Sequence, residues 1–204
     1  MHSYVCYTFN SNTVTQSQWG KLCGFVTKQA KKHVNHPALA NMGINNESGL
    51  LQNIHNKRRW TAGAGEVAVL EYQDEIVGIS CVENSERVGK LTIGGIRCWL
   101  DDRHRNTNQV TTYLLDSNLS WSKNSGAVAM MLTFNDYNKI IYDGICKKAA
   151  GRAAGLGRVW SSWWNDCMPI DNQLNVRFTK QWCVIKPIEQ HALQNVISEL
   201  LNNE

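Results

Sequence analysis

Strand-like and helix-like patterns of apolar residues succeed one another along this chain. Residues 4–9 are β-formers and predict a first strand. Trp19, Leu22 and Val26 then recur at helical spacing, which predicts a helix that begins near residue 15 or 17. A second helix is expected over residues 45–56, where two glycines leave its register poorly marked.

Three further strands are predicted at residues 66–72, 76–83 and 90–100, and only short polar turns separate them. Such short connections favour an antiparallel meander, because parallel strands need a long crossover. Gly94 and Gly95 lie inside the third of these strands. Paired glycines within a strand indicate a bulge or a close approach of another backbone.

The second half of the chain repeats the alternation and ends on an amphipathic helix. The pattern predicts one α/β domain over residues 1–204, with a mixed central sheet of about six or seven strands flanked by four or five helices. The later predicted elements are a helix at 110–122, a strand at 127–134, a helix at 136–149, strands at 159–164 and 176–185, and a helix at 193–201.

Composition fits a globular protein, since 43% of the 204 residues are apolar and the net charge is only +4. The basic clusters are short, so nucleic-acid binding is not expected. The sequence shows no signal peptide and no run of 18 apolar residues. It also contains no C-x-x-C pair. We therefore expect a cytoplasmic protein with reduced cysteines, no membrane span and no metal site.

The most informative segment is the strand end at Leu100, the polar loop after it and the helix expected from Val110. A helix N-terminus has free N–H groups and the positive end of the helix dipole, which suits a pyrophosphate. Arg105 lies in this loop and can bind phosphate through two parallel donors. The alternative is that Arg105 is an ordinary solvated loop residue.

With this order of elements, the chain resembles the GCN5-related N-acetyltransferase (GNAT) superfamily. In that family, an arginine- or glutamine-led, glycine-rich loop between the fourth strand and the next helix wraps the pyrophosphate of acetyl-CoA. Arg105 follows Leu100 by five residues, as in the family. The residues that match the loop are Arg105, Asn106, Thr107, Asn108, Gln109 and Val110.

The resemblance extends to the next strand and helix. Asn135 ends the strand and Tyr142 follows seven residues later, as in the family. The resemblance implies that Tyr142 is the general acid for the departing CoA thiolate and that Asn135 helps hold the cofactor. It also implies that the backbone around Cys98 and Leu100 aligns the pantetheine arm. The alternatives are a packing tyrosine and a helix cap.

The sequence departs from the family in the phosphate loop, where Asn106, Asn108 and Val110 replace glycines. Asparagine tolerates a left-handed backbone better than most residues, whereas valine does not. Two functions therefore stay open: an acetyl-CoA-dependent N-acyltransferase and a decayed GNAT-fold binding or structural module. Weak nucleic-acid binding through the basic loop and the tryptophans at 160, 163 and 164 is a third possibility.

No motif assigns the general base that must take the proton of the acceptor amine. Glu83 and Glu71 lie on the meander strands, near where family members keep such a base. Cys98 is interpreted as a core residue, because no histidine is positioned by a motif to activate it. The expected partner is a small-molecule or peptide amine acceptor, and the expected state is a monomer or homodimer.

Overall fold

The computed structural model describes residues 3–10, 12–32, 65–105, 108–152, 162–176 and 179–202. The helix predicted at 45–56 lies outside these segments. Within the described segments, no helix combines the length and apolarity needed to cross a bilayer. All seven cysteines are described, and none forms a disulfide.

The described residues form eight strands and four helices. The strands are β1 Val5–Phe9, β2 Gly65–Tyr72, β3 Glu75–Asn84, β4 Leu91–Leu100, β5 Ala129–Phe134, β6 Met168–Pro169, β7 Leu174–Val176 and β8 Thr179–Pro187. The helices are α1 Gln16–Lys32, α2 Asn108–Asn124, α3 Lys139–Ala149 and α4 Leu193–Asn202. The predicted mixed α/β class is confirmed.

The strands form one sheet in the order β1-β2-β3-β4-β5-β8-β6, and β7 pairs with β8. Strand β1 is antiparallel to β2, and β5 is antiparallel to β8. Gln73 and Asp74 both have positive φ and join β2 to β3 as a two-residue hairpin turn. Strand β5 is parallel to β4 and is reached through α2. The sheet is therefore mostly antiparallel with one parallel pair, as a meander followed by a helical crossover requires.

The chain divides into two compact units: Met1–Cys81 with Arg97–Ser117, and Val82–Ile96 with Asn118–Glu204. The first has a core of buried apolar residues, surrounded by Tyr4, Cys6, Tyr72 and Leu100. The core residues of this unit are Ala68, Leu70, Val77, Val110 and Leu114. In the second unit, apolar side chains of β4, β5, β7, β8 and α4 pack together. That residues 1–204 form a single domain stays a prediction.

The two glycines of β4 differ in backbone conformation. A Cβ at Gly94 would lie 2.4 Å from the Sδ of Met130 on β5, so the side chain of Met130 occupies the space that a larger residue would need. Gly95 has a φ of 66°, a conformation that favours glycine. The close neighbour of Gly94 is therefore a side chain and not another backbone, and the irregular backbone conformation falls at Gly95.

Two predictions for the C-terminal third were wrong. Residues 162–164 form a 3₁₀ turn rather than the end of a strand, and residues 159–161 lie outside the described segments. The predicted strand at 176–185 is instead the end of one strand and most of another, since Val176 of β7 pairs with Thr179 of β8. Both errors arise because apolar aromatic and β-branched runs fit a strand and a turn packed on a sheet equally well.

Candidate functional site

The loop between β4 and α2 is built around the buried carboxylate of Asp101. Its Oδ1 accepts from the backbone N and the Nε of Arg103, each at 3.1 Å, and its Oδ2 accepts from Arg103 Nη2 at 3.1 Å. The hydrogen bonds and charge of Arg103 hold the pKa of Asp101 far below its usual range. Asp101 therefore fixes the start of this loop, and Arg103 is occupied in holding it.

The guanidinium of Arg105 is anchored through its Nε atom. Its Nε lies 3.2 Å from the carbonyl oxygen of Leu100 and 3.0 Å from Oδ1 of Asp102. The side chain is 49% exposed, and within the described residues its two Nη groups have no acceptor. A guanidinium anchored at Nε with a free terminal fork is suited to bind an anion bidentately.

Two of the three residues that replace the family's glycines, Asn108 and Val110, lie in the first turn of α2. Asn106 and Thr107 lie outside the described residues, whereas Asn108 and Gln109 are the first two residues of α2. Val110 is fully buried and packs with Leu70, Val77 and Leu114. Only the backbone amide of Val110 is thus available to a ligand, because its side chain belongs to the core.

Cys98 and Leu100, both predicted to border the pantetheine arm, lie at the C-terminal end of β4. Leu100 packs against the core of the first unit, and a Cβ at Gly78 would approach its Cδ2 within 2.6 Å. Burial raises the pKa of Cys98 to about 11, although a hydrogen bond from Ser80 partly opposes that shift. A thiol with this pKa is protonated at neutral pH and is a poor nucleophile.

Glu71 lines a cleft of about 290 Å³ within the first unit. Its Oε1 accepts from the hydroxyl of Tyr7 at 2.9 Å and from Nζ of Lys21 at 3.2 Å. Burial, followed by the bond to Glu71, raises the pKa of Tyr7, so its phenol stays protonated. The carboxylate side chain is 17% exposed and already carries a primary ammonium, namely that of Lys21. The remaining residues around the cleft are Thr15, Ser17 and Gln18.

Tyr142 lies on α3 in the second unit and is 4% exposed. Its hydroxyl donates to the carbonyl oxygen of Ile170 at 2.6 Å, and its ring packs against Trp182 with centroids 5.0 Å apart. Burial raises the pKa of Tyr142 well above its usual range. The phenol is thus fully protonated at neutral pH, as a general acid requires, and its proton is directed at a backbone carbonyl.

Asn135 caps the 3₁₀ turn that leads into α3, where its Oδ1 accepts from the backbone N of Asn138 at 3.1 Å. The neighbouring Asp136 accepts from Trp182 Nε1 at 3.0 Å and from Gln173 Nε2 at 2.9 Å. The capping alternative for Asn135 is therefore seen directly. Sequence reasoning missed Asp136 and Trp182, because no spacing rule connects residues 46 positions apart.

The predicted residues divide between the two units. Glu71, Cys98, Leu100, Arg105, Asn108, Gln109 and Val110 belong to the first unit, whereas Glu83, Asn135 and Tyr142 belong to the second. Glu83 is partly buried near the end of β3. The first unit thus contains the residues predicted to bind the pyrophosphate and one predicted base, Glu71, whereas the second contains the predicted acid, Tyr142, and the other predicted base, Glu83.

The tryptophans at 163 and 164 pack inside the second unit. Trp163 is 8% exposed and meets Trp164 edge to face, with centroids 4.8 Å apart. The ammonium of Lys186 lies 4.6 Å from the centroid of the Trp163 ring and pairs with Asp166. These two tryptophans therefore pack against their neighbours, and Trp160 lies outside the described residues. The buried Lys186 was not foreseen, because a lysine in a strand is usually exposed.

No protein-family model matches the sequence, and no curated protein matches it. Solved structures do match. A GNAT-family acetyltransferase from Staphylococcus aureus Mu50 aligns over 91% of this chain and 100% of its own, with 12% identity and a TM-score of 0.56. The PaiA N-acetyltransferase from Thermoplasma acidophilum, in complex with coenzyme A, aligns over 91% and 99%, with 10% identity and a TM-score of 0.54.

An aminoglycoside 6'-N-acetyltransferase complexed with coenzyme A aligns over 90% of this chain and 96% of its own, with 12% identity and a TM-score of 0.52. At identities this low, the likeness concerns the arrangement of the backbone and not the chemistry of the side chains. The chain therefore has the fold of the GNAT acetyltransferases.

Proposed function

We propose that this protein is an acetyl-CoA-dependent N-acyltransferase that transfers the acetyl group to a primary amine by direct attack. The observation that supports it best is the anchored, open guanidinium of Arg105 before the N-terminus of α2, on the fold of the GNAT acetyltransferases. The pyrophosphate of acetyl-CoA is the anion that Arg105 and the first amides of α2 would bind.

In this proposal, the amine nitrogen attacks the thioester carbonyl, the new C–N bond forms and the C–S bond breaks. Glu71 accepts the proton of the amine, and Tyr142 gives its proton to the CoA thiolate. The high pKa of Cys98 supports direct attack rather than an acyl-cysteine intermediate. Much of the rate would come from holding the two substrates together.

Glu71 is favoured over Glu83 as the base because it lies in a cleft and is hydrogen-bonded to a primary ammonium. The acceptor would replace Lys21 in that contact, and the exposed Lys21–Glu71 pair costs about 1 kcal/mol or less to break. The hydroxyls of Thr15 and Ser17 and the amide of Gln18 would suit an amine that carries further polar groups.

The second candidate function is a GNAT-fold binding or structural module that no longer uses CoA. Two observations favour it: the loss of the glycines near the beginning of α2, and the engagement of the Tyr142 proton with Ile170. Under this alternative, Arg105 and Tyr142 have only structural roles.

Thermal unfolding with and without acetyl-CoA separates the two functions. A ligand at 100 times its dissociation constant raises the free energy of unfolding by about 2.7 kcal/mol. We expect Arg105→Ala to lose most of this stabilisation and Arg152→Ala, an exposed arginine in the second unit, to keep it. No stabilisation of the wild-type protein by millimolar acetyl-CoA or CoA would refute the proposed activity.

A further inference from the structure

The cleft around Glu71 has an acidic side and a side of hydrogen-bond donors. The acidic side is the carboxylate of Glu71 on β2, and the hydroxyl of Tyr7 donates to its Oε1 at 2.9 Å. The other side is the first part of α1, which contributes Ser17, Gln18 and Lys21. Gln18 and Lys21 are three positions apart and so share one face of this helix. A ligand in the cleft therefore meets a negative charge on one side and a positive charge on the other.

The groups that α1 can offer a ligand are donors. The side-chain oxygen of Gln18 already accepts from the backbone N of Thr15 at 2.9 Å and from its hydroxyl at 3.0 Å, so the NH₂ group is what Gln18 can still offer. The ammonium of Lys21 also only donates. It lies 3.2 Å from Oε1 of Glu71 and 3.5 Å from the carbonyl oxygen of Asp74. The contact with Asp74 can keep this ammonium at the cleft when its pair with Glu71 is broken.

We infer that the acceptor is a free amino acid, whose ammonium takes the place of Lys21 at Glu71 and whose carboxylate pairs with Lys21. The inference rests on the proposed function, in which Glu71 receives the proton of the acceptor amine. An amino acid keeps the cleft electrically balanced, because two ion pairs replace one. A polycationic amine places a further positive charge beside Lys21, which is unfavourable. The cleft of about 290 Å³ is at the lower end of the range for ligand pockets and suits so small a molecule.

Acetyl transfer changes the charge of the molecule in the cleft. The nitrogen forms a bond to the acetyl carbon while the C–S bond breaks, and the former ammonium loses two protons. One proton ends on the sulfur of CoA, and the other passes through Glu71 to solvent. The product is an N-acetyl amino acid, which has a carboxylate but no ammonium. Glu71 then has no cation in the ligand, so Lys21 can pair with it again and the anionic product is released.

The test compares each amino acid with its own carboxamide as the acceptor for the full chain at saturating acetyl-CoA. The carboxamide keeps the ammonium and the side chain and lacks only the negative charge, as the N-terminus of a peptide does. Serine, threonine and glutamine are the first pairs, because polar groups line the cleft, and spermidine is the polycationic acceptor. We expect kcat/KM, measured by mass spectrometry of the product, to be about tenfold or more higher for the amino acid. An equal or higher value for the carboxamide or for spermidine overturns the inference.

Variants of Lys21 test how the carboxylate is recognised. Lys21→Met removes the ammonium and should reduce the preference for the amino acid over its carboxamide to about threefold or less, whereas Lys21→Arg should keep the preference. Lys28→Met is the control, because Lys28 is an exposed lysine of the same helix that does not line the cleft. If Lys21→Met keeps the full preference, Lys21 does not bind the carboxylate and the inference is overturned.

Failure of the inference and failure of the proposed function give different results. If acetyl-CoA stabilises the wild-type protein but none of the amino acids is acetylated, the free amino acid is wrong as acceptor and the proposed function stands. If the wild-type protein is neither stabilised by acetyl-CoA nor able to acetylate any of these amines, the proposed function fails and the inference fails with it.

Discussion

The hydroxyl of Tyr142 donates to the carbonyl oxygen of Ile170, with 2.6 Å between the two oxygens. This bond connects α3 to the residue that directly follows β6, and the backbone N of Ile170 in turn donates to the carbonyl of Cys183 at 2.9 Å. The proton that the proposed mechanism assigns to the CoA thiolate is thus shared with a backbone carbonyl. Proton transfer to sulfur therefore requires that this bond break during the reaction, and both roles of the phenol can be measured separately.

Replacement of Tyr142 by phenylalanine should lower both stability and turnover. The ring can remain against Trp182, but the Ile170 carbonyl loses its donor, so we expect the free energy of unfolding to fall by about 1 kcal/mol. Urea unfolding checks this, with the exposed Tyr113→Phe as the control. If Tyr142 is the acid, kcat should fall at least about tenfold while acetyl-CoA still stabilises the variant. Loss of that stabilisation together with kcat would assign the tyrosine a structural role alone.

Asp101 should make the stability of the protein sensitive to acid. The pKa of Asp101 in the folded state lies below that of an aspartate in the unfolded chain, which is about 3.9. The stabilisation that Asp101 gives the folded state is therefore complete above about pH 3.9 and is lost as the pH falls towards the folded-state pKa. We expect Asp101→Asn to lower the free energy of unfolding by about 1–2 kcal/mol at pH 7 and by less at pH 3.

The comparison for Asp101 is the neighbouring Asp102, which is 54% exposed and pairs with Lys32 and Arg105. Asp102→Asn should change the free energy of unfolding at pH 7 by about 1 kcal/mol or less. If the difference in the free energy of unfolding between Asp101→Asn and the wild type were the same at pH 3 and at pH 7, the role of Asp101 would be contradicted.

A methyl group at Gly94 should be poorly tolerated. It would collide with Met130, which is fully buried and has little room to move. We expect Gly94→Ala to lower the free energy of unfolding by about 1–3 kcal/mol, and Gly89→Ala, where nothing lies within 4 Å, to have a much smaller effect. In a double-mutant cycle, Gly94→Ala should cost almost nothing when Met130 is already alanine. An equal cost in both backgrounds would show that the collision is not the cause.

The ion pair of Lys186 and Asp166 should respond asymmetrically to mutation. The side chain of Lys186 is 8% exposed and that of Asp166 is 58% exposed. Asp166→Asn leaves a buried ammonium without its counter-ion, whereas Lys186→Met leaves a solvated carboxylate and an apolar side chain against Trp163. We expect Asp166→Asn to lower the free energy of unfolding by about 1–3 kcal/mol and Lys186→Met to lower it less. Calorimetric melting shows which of the two variants is less stable. If Lys186→Met were the less stable, the ammonium of Lys186 would stabilise the fold mainly through its contacts with the ring and the carbonyl oxygen of Trp163.

Several features of the fold follow from periodicity alone. The strands at β2, β3 and β4 and the helices α1, α2 and α4 begin and end within a few residues of their predicted positions. Short polar turns and regular apolar spacing are local signals, so they can be interpreted without knowing what an element packs against. The predicted strands at 159–164 and 176–185 differ from the structure, because the conformation of their aromatic and β-branched residues depends on neighbours distant in sequence.

The candidate site divides in the same way. The sequence alone determined the residue types, the order of elements and the spacings of Arg105, Asn135 and Tyr142, because these depend only on positions along the chain. Whether a polar side chain is open or engaged was decided only in three dimensions. Among the described residues, the two Nη groups of Arg105 have no acceptor, the phenol of Tyr142 donates to Ile170, and Asn118 accepts from the amide of Gly95. Hydrogen bonds between residues 23 to 28 positions apart have no local sequence signal, since the packing of the sheet against its helices creates them.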